Sequence, residues 1–172
     1  MREISYKDLQ LNPMTMFGDE WLALAAGNEQ GWNAMTVAWG HLGALWGRPG
    51  KPGSLPTAVA YVPPSRYTKE FMDREELFTL SLFGPEKRKA LAYIGAHSGR
   101  DGDKCAEAGL SPVFEDGTVY LAEAKLVLVC RKLYRSTLSA EGFVDPALLD
   151  ENYPKRDLHD MYVGEIIRVL VP

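Results

Sequence analysis

The sequence predicts a mainly β protein, an antiparallel β-barrel with a few connecting α-helices. Three observations predict it. Short β-rich stretches outnumber helical ones along the 172 residues. Phe78, Leu80 and Leu82 alternate with Thr79, Ser81 and Phe83, the period-two pattern of a pleated strand. The helical stretches are spaced connectors and do not repeat as βαβ, which disfavours a doubly wound parallel sheet. A mostly antiparallel barrel with added helices fits this order.

Trp21 to Ala26 is a short apolar run, and Asn33 to Trp39 mixes Met, Thr, Val and Trp. Thr57 to Val62 is β-rich and stops at Pro63-Pro64. Pro112 to Phe114 and Thr118 to Leu121 flank Glu115-Asp116-Gly117, and an Asp-Gly between two such runs signals a hairpin. Ala124 to Ser136 is long, and its Leu126-Val127-Leu128-Val129 is apolar on both faces, as in a strand covered on both sides. Val163 to Val171 forms the last strand. Ser65 is positioned to cap a helix running to about Arg74. Pro85 opens a second, with Ala90, Leu91 and Ile94 on one face and Lys87, Arg88 and Lys89 on the other. Asp103 to Ala108 reads as a third, stopped by Gly109. Gly47 to Pro56 holds three prolines and three glycines and reads as a surface loop.

A single domain over residues 1–172 is expected from the length. Hydrophobic residues at 46% and charged residues at 24% suit a globular chain with a sizeable core. A net charge of −4 argues against nucleic acid and anionic membranes, which need clustered positive potential. The apolar runs are too short for a membrane span, and Met1-Arg2-Glu3-Ile4-Ser5 has no apolar leader region. Cys105 and Cys130 form neither a CxxC nor a disulfide framework, so a reducing cytoplasm is expected. His41, His97 and His159 lack metal-ligand spacing, and no metal is expected. The dinucleotide and P-loop fingerprints are absent. Gly95-Ala96-His97-Ser98-Gly99 is not a nucleophile elbow.

Four segments carry chemistry. In Pro63-Pro64-Ser65-Arg66-Tyr67-Thr68 a strand runs through a proline turn into a helix start. Unpaired N–H groups, a forked cation and two hydroxyls there suit a phosphate; a plain helix cap with a solvated arginine is the alternative. In Ser98-Gly99-Arg100-Asp101-Gly102-Asp103-Lys104 two glycines let the backbone turn and present N–H groups beside Arg100 and Lys104; a polar interhelix loop is the alternative. Trp32 to Gly40 sets small residues beside two tryptophans, a surface a flat ring can approach, or simply core packing. His159 before a strand suits a pocket mouth or an ordinary surface position.

In this order the segments resemble the flavin reductase-like family, whose fold is the FMN-binding split barrel. The resemblance rests on Trp32-Asn33-Ala34-Met35-Thr36, Arg66-Tyr67-Thr68, Ser98-Gly99-Arg100-Asp101 with Asp103-Lys104, and Ala108-Gly109-Leu110-Ser111-Pro112. Glu123-Ala124, Cys130-Arg131-Lys132-Leu133-Tyr134 and His159 with Met161-Tyr162-Val163-Gly164-Glu165 complete it. It implies a flavoprotein oxidoreductase, a homodimer with one non-covalent FMN per subunit near the dimer interface. The flavin ring would lie along Asn33, Ala34, Met35, Thr36, Ala38 and Trp39. Arg66, Tyr67, Thr68, Ser98, Gly99, Arg100, Asp101 and Lys104 would hold the phosphate end. His159 and Tyr162 would lie on the substrate side, with NAD(P)H delivering hydride and no side-chain acid or base required. The reduced flavin would serve free flavin, a redox protein partner or another acceptor. A flavoredoxin-like electron carrier without nicotinamide activity, or a flavin-free binding module on the same barrel, are the alternatives. The long 47–56 loop and His41 depart from the family pattern and bear on substrate choice.

Overall fold

The computed structural model describes residues 1–50 and 52–172, so Lys51 of the Gly/Pro-rich loop lies outside the described residues. Ten strands follow one another as β1 (Arg2–Ile4), β2 (Leu22–Asn28), β3 (Gly31–Val37), β4 (Gly40–Leu45), β5 (Leu55–Val62), β6 (Leu77–Leu82), β7 (Pro112–Glu115), β8 (Thr118–Leu121), β9 (Leu126–Thr137) and β10 (Asp160–Val171). Among the described residues five α-helices join them, beside shorter 3-10 and π turns: α1 (Pro13–Thr15), α2 (Thr68–Arg74), α3 (Arg88–Ala96), α4 (Lys104–Glu107) and α5 (Pro146–Asn152). The main sheet runs β3-β2-β6-β9-β10-β5-β4, with β1 added beside β10, and β7-β8 form a separate hairpin. Every pairing is antiparallel. Consecutive strands β3 and β4 end up at opposite edges of the sheet, so the curled sheet is split between them, with Ala38 and Trp39 crossing the gap.

Side-chain alternation divides the core in two. Leu22 and Leu24, Leu80, Leu128 and Cys130 face the interior with Met35, Val62 and Phe78. Ala23 and Ala25, with Val127 and Val129, face outward and are covered by Leu91 and Ile94 of α3 and by Val119 and Leu121 of β8. The run Leu126 to Val129 is thus buried on both faces for the expected reason. Gly164 lies where a Cβ would stand 2.6 Å from the Phe78 ring, and the β9–β10 register shifts beside it. Both cysteines are buried, and burial pushes the thiols up, Cys105 to about 11.

The β7–β8 turn places Asp116 and Gly117 both at positive φ, 48° and 76°, as the Asp-Gly signal requires. α3 buries Ala90, Leu91 and Ile94 as expected, behind a 3-10 turn over Pro85–Lys87. α4 begins after Asp103, whose carboxylate accepts from the Ala106 N–H at 3.0 Å, and Gly109 follows its end at φ 67°.

Three expectations are corrected. Ser65 does not cap a helix: Pro63 to Arg66 form a turn closed by the Arg66 N–H on the Pro63 carbonyl at 3.2 Å, and α2 starts only at Thr68. Leu55 and Pro56 belong to β5, not the loop, paired with Leu45 and Ala44 of β4. Pro56 faces β10 beyond the end of the β5–β10 pairing, where a missing N–H costs nothing. The last strand begins at Asp160, directly after His159.

Candidate functional site

Three segments meet at one small cavity of about 100 Å³: β3 through Met35, the turn Ser65 to Thr68, and the α3–α4 connection through Ala96, His97, Ser98, Gly99 and Lys104. Asn33 locks the first two together. Its carboxamide Nδ2 donates to the Thr68 hydroxyl at 2.8 Å, and both side chains are buried. Asn33 also fixes the third, because a Cβ on Gly99 would lie 2.2 Å from its Oδ1. The turn over Ser98 closes with the Asp101 N–H on the Ser98 carbonyl at 3.2 Å and the Arg100 N–H on the Ser98 hydroxyl at 3.2 Å.

Two cations stand at the C-terminal end of α3. Lys104 Nζ donates to the carbonyls of Ile94 at 2.7 Å and His97 at 3.0 Å; Arg66 donates to the Gly95 carbonyl at 2.8 Å. Cations are favoured at the negative end of a helix. These bonds hold both groups at the cavity while using two of the three lysine donors and one of the five on arginine. Burial pulls Lys104 down to about 8, and the Arg66 charge adds to it. The unfolded chain keeps this proton to about 10.4, so the stability deficit is complete below pH 8 and vanishes above the unfolded value. Wild type is therefore expected to gain in urea midpoint over Lys104→Met between pH 8 and pH 10.5; a constant difference across that window would overturn this state of Lys104.

The expected ring surface is divided. Ala34 is packed into the outer core, and Val37 into the inner one. Thr36 donates to the Leu91 carbonyl and so holds α3, which approaches closely at Gly95. Ala38 is half-buried, and Trp39 is 46% exposed on the far side of the split. The Trp39 ring lies 4.8 Å from the His159 ring and 6.3 Å from that of Tyr153, centroid to centroid. Burial lowers the His159 imidazole; Asp157 opposes this and the Arg66 charge reinforces it. Arg66 thus acts electrostatically on both Lys104 and His159.

Three sequence-predicted residues lie elsewhere. Arg100 is paired with Glu70 and rests 4.6 Å over the Tyr67 ring, on the rim, and exposed Asp101 lines neither cavity. Tyr162 is fully buried, and its hydroxyl donates to Asp73 rather than facing a ligand, because strand alternation turns it inward with Asp160. Sequence reasoning missed Ala96 and His97 as lining residues, and named Ser65 only as part of the turn that suits a phosphate. It also missed an ion network behind the site. Lys69 Nζ lies 2.6 Å from Asp73 and 2.8 Å from the buried Asp160, Arg135 lies 2.7 Å from Asp73, and the Thr137 hydroxyl donates to Asp160 at 2.6 Å. Lys69 follows Thr68 and Asp160 follows His159, so this network joins the two halves of the site.

Among the described residues no group of three or more His, Cys, Asp or Glu is arranged to hold a metal, and no helix is long and apolar enough to cross a membrane. Residues 53–172 match the family model described as flavin reductase like domain. No curated protein matches the chain. Solved structures share its fold. A flavoredoxin from Methanosarcina acetivorans is 20% identical with a TM-score of 0.63, covering 100% of this chain and 76% of its own. The FMN-binding domain of a flavin reductases-like enzyme from Shewanella baltica is 16% identical at TM-score 0.64, over 98% and 75% of the two chains. An NADH:FAD oxidoreductase from Streptomyces globisporus, solved with NAD and FAD fragments, is 15% identical at TM-score 0.60, over 89% and 74%.

Proposed function

The chain belongs to the flavin reductase-like family, and from that premise we propose that it is an FMN-binding oxidoreductase that uses NAD(P)H to reduce flavin or to pass electrons to an acceptor. The observation that carries the reading is the small polar cavity where Arg66, Thr68, Ser98, Gly99 and Lys104 converge. Its donor set suits a phosphate monoester: two cations, two hydroxyls and a glycine turn that can pack directly against the Asn33 carboxamide because Gly99 has no side chain. FMN, when bound, supplies the hydride-transfer chemistry. The residues of the chain bind and orient it. Arg66 and Lys104 neutralise the phosphate, and Ser98 and Thr68 offer hydroxyls. Asn33 holds Thr68 against Gly99 so that the cradle keeps its width. Trp39 and His159 form an aromatic wall on the other side of the split, where the reacting partner would approach. No side-chain acid or base is assigned to the transfer.

A flavoredoxin-like electron carrier is the second reading, favoured by the shared fold with the Methanosarcina protein. Anaerobic addition of NADH and NADPH to the FMN-loaded protein separates the two: bleaching of the flavin bands marks the reductase, persistence with both nicotinamides the carrier. We also propose that the chain works as a homodimer. The exposed Leu45 at the end of β4 and Trp46 just after it, with Tyr134 6.1 Å from the Trp46 ring, support an apolar contact there. The phosphate assignment is tested by Arg66→Ala, which is expected to weaken FMN binding about tenfold or more, since a charge-assisted bond of this kind contributes about 1.5–3 kcal/mol. FMN affinity equal to wild type in a fluorescence titration would remove Arg66 from the site.

A further inference from the structure

A third side chain able to carry positive charge lines the cradle beside Arg66 and Lys104: His97, directly after α3. It is exposed, yet the fold holds its backbone and its ring. The His97 N–H donates to the Tyr93 carbonyl at 3.1 Å, and the His97 carbonyl accepts from Lys104 Nζ at 3.0 Å. The imidazole stacks on the Tyr93 ring, with centroids 3.8 Å apart and planes 18° from parallel. Its Nδ1 lies 2.9 Å from the Tyr93 carbonyl oxygen.

That contact fixes the tautomer. A carbonyl oxygen only accepts, so Nδ1 carries its hydrogen in the neutral ring as well as in the charged one. Neutral His97 therefore leaves Nε2 bare, as an acceptor. The oxygens of a phosphate dianion are acceptors too, so the neutral ring has no bond to make with them. A proton on Nε2 turns the same atom into a charged donor, the kind of group a phosphate binds most strongly.

The surroundings decide when that proton is held. Arg66 of the turn and Lys104 of α4 line the same cavity and oppose a third positive charge. The carbonyl end of α3 and the face of the Tyr93 ring favour it. The neighbouring carboxylates are engaged elsewhere or lie outside the cradle. Glu107 of α4 accepts from the Tyr93 hydroxyl, Asp103 accepts from the Ala106 N–H at 3.0 Å, and exposed Asp101 does not line the cradle. A bound dianion outweighs the repulsion, because it pairs with all three cations at once.

We propose that His97 is a phosphate ligand of the cradle that acts only when protonated. Where its imidazole is neutral in the free protein, a phosphate monoester is taken up together with a proton from solvent. The proposal rests on the phosphate reading of the cradle and makes its affinity depend on pH. Imidazole is the side chain whose ordinary titration falls between pH 5 and 8. A ligand that raises the proton affinity of His97 gains all of this contribution where the free imidazole is already charged. It loses the contribution as pH rises through the bound value.

The test is a fluorescence titration of the full chain with FMN and with riboflavin, which has the same ring system and no phosphate. Wild type and His97→Gln are compared from pH 6 to pH 8. At pH 6 the variant is expected to bind FMN about tenfold more weakly, the low end of what a charge-assisted hydrogen bond contributes. At pH 8 the difference is expected to shrink to about twofold as the imidazole loses its charge. The ratio of the two proteins at each pH cancels the titration of Lys104 and of the phosphate itself, whose second ionisation lies near about pH 6. Riboflavin is expected to bind both proteins alike throughout. Calorimetry at pH 7 in two buffers of different ionisation enthalpy is expected to show more proton uptake on FMN binding by wild type than by His97→Gln. A ratio that does not change with pH, or equal proton uptake by the two proteins, would overturn the role of His97 and leave the cradle standing if FMN still binds more tightly than riboflavin. FMN bound no more tightly than riboflavin by wild type would overturn the phosphate reading, and this proposal with it.

Discussion

Gly99→Val is expected to lower FMN affinity about 10- to 100-fold. The new Cβ would lie 2.2 Å from Oδ1 and 2.9 Å from Cγ of Asn33, closer than any side chain tolerates. Asn33 has little room to yield, because it is buried and donates to the buried Thr68 hydroxyl at 2.8 Å. Either the carboxamide swings away and leaves buried polar groups unsatisfied, or the Ser98–Asp101 turn moves outward from α2. Losing such a bond costs about 1–3 kcal/mol, and each 1.4 kcal/mol is about tenfold in affinity if the loss falls on the bound geometry. A fluorescence titration of FMN reads it. Wild-type affinity in a folded Gly99→Val protein would remove this turn from the phosphate site.

Lys69→Met is expected to cost about 3 kcal/mol of stability at pH 7, the lower end of what breaking a buried ion pair does. The Asp160 side chain is 4% exposed and would keep only Thr137 at 2.6 Å and Arg135 at the longer distance of 3.7 Å. Burial pushes the carboxyls of Asp73 and Asp160 up, but their bonds to Lys69, with Tyr162 on Asp73 and Thr137 on Asp160, outweigh it and hold both below the usual range. Their stabilisation is therefore present above the unfolded carboxylate value of about 4 and is lost as pH falls through the lower folded values. The destabilisation by Lys69→Met should shrink on moving from pH 7 to pH 3. Urea unfolding at the two pH values measures it; a loss below about 1 kcal/mol at pH 7, or one that does not change with pH, would show that the network contributes nothing beyond a surface pair.

The fold was legible wherever a local pattern reflected burial. Leu126 to Val129 alternates between the two cores, Ala90, Leu91 and Ile94 form the buried face of α3, and Asp116-Gly117 adopts the positive φ pair its hairpin demands. β4 was not legible, because an edge strand containing Gly40, His41 and Gly43 has little apolar periodicity to show. α5 did leave a signal, Asp145 before Pro146, and the Asp145 carboxylate accepts from the Ala147 N–H at 3.0 Å. Of the candidate site, the three segments that meet at the cradle were each readable as anion-binding turns or a small-residue strand. Their meeting was not, since it depends on strand order. The Lys69–Asp160 pair was invisible for the same reason: two opposite charges distant in the chain announce nothing until β10 lies beside β9 and α2 packs over them. The burial of Tyr162 is not evident from its motif, because it follows from the parity that Tyr162 shares with Asp160 along β10.

The split sheet has one further consequence. The cradle takes Asn33 from β3, Thr68 from the start of α2, and Gly99 and Lys104 from the α3–α4 connection. No stretch of the unfolded chain contains these groups together, so a phosphate ligand distinguishes native from denatured molecules. It must draw the population toward the native state by mass action, adding about 2.7 kcal/mol at a free concentration one hundred times its dissociation constant. Supply of the cofactor would then govern how much of this chain stays folded as well as how much of it is active.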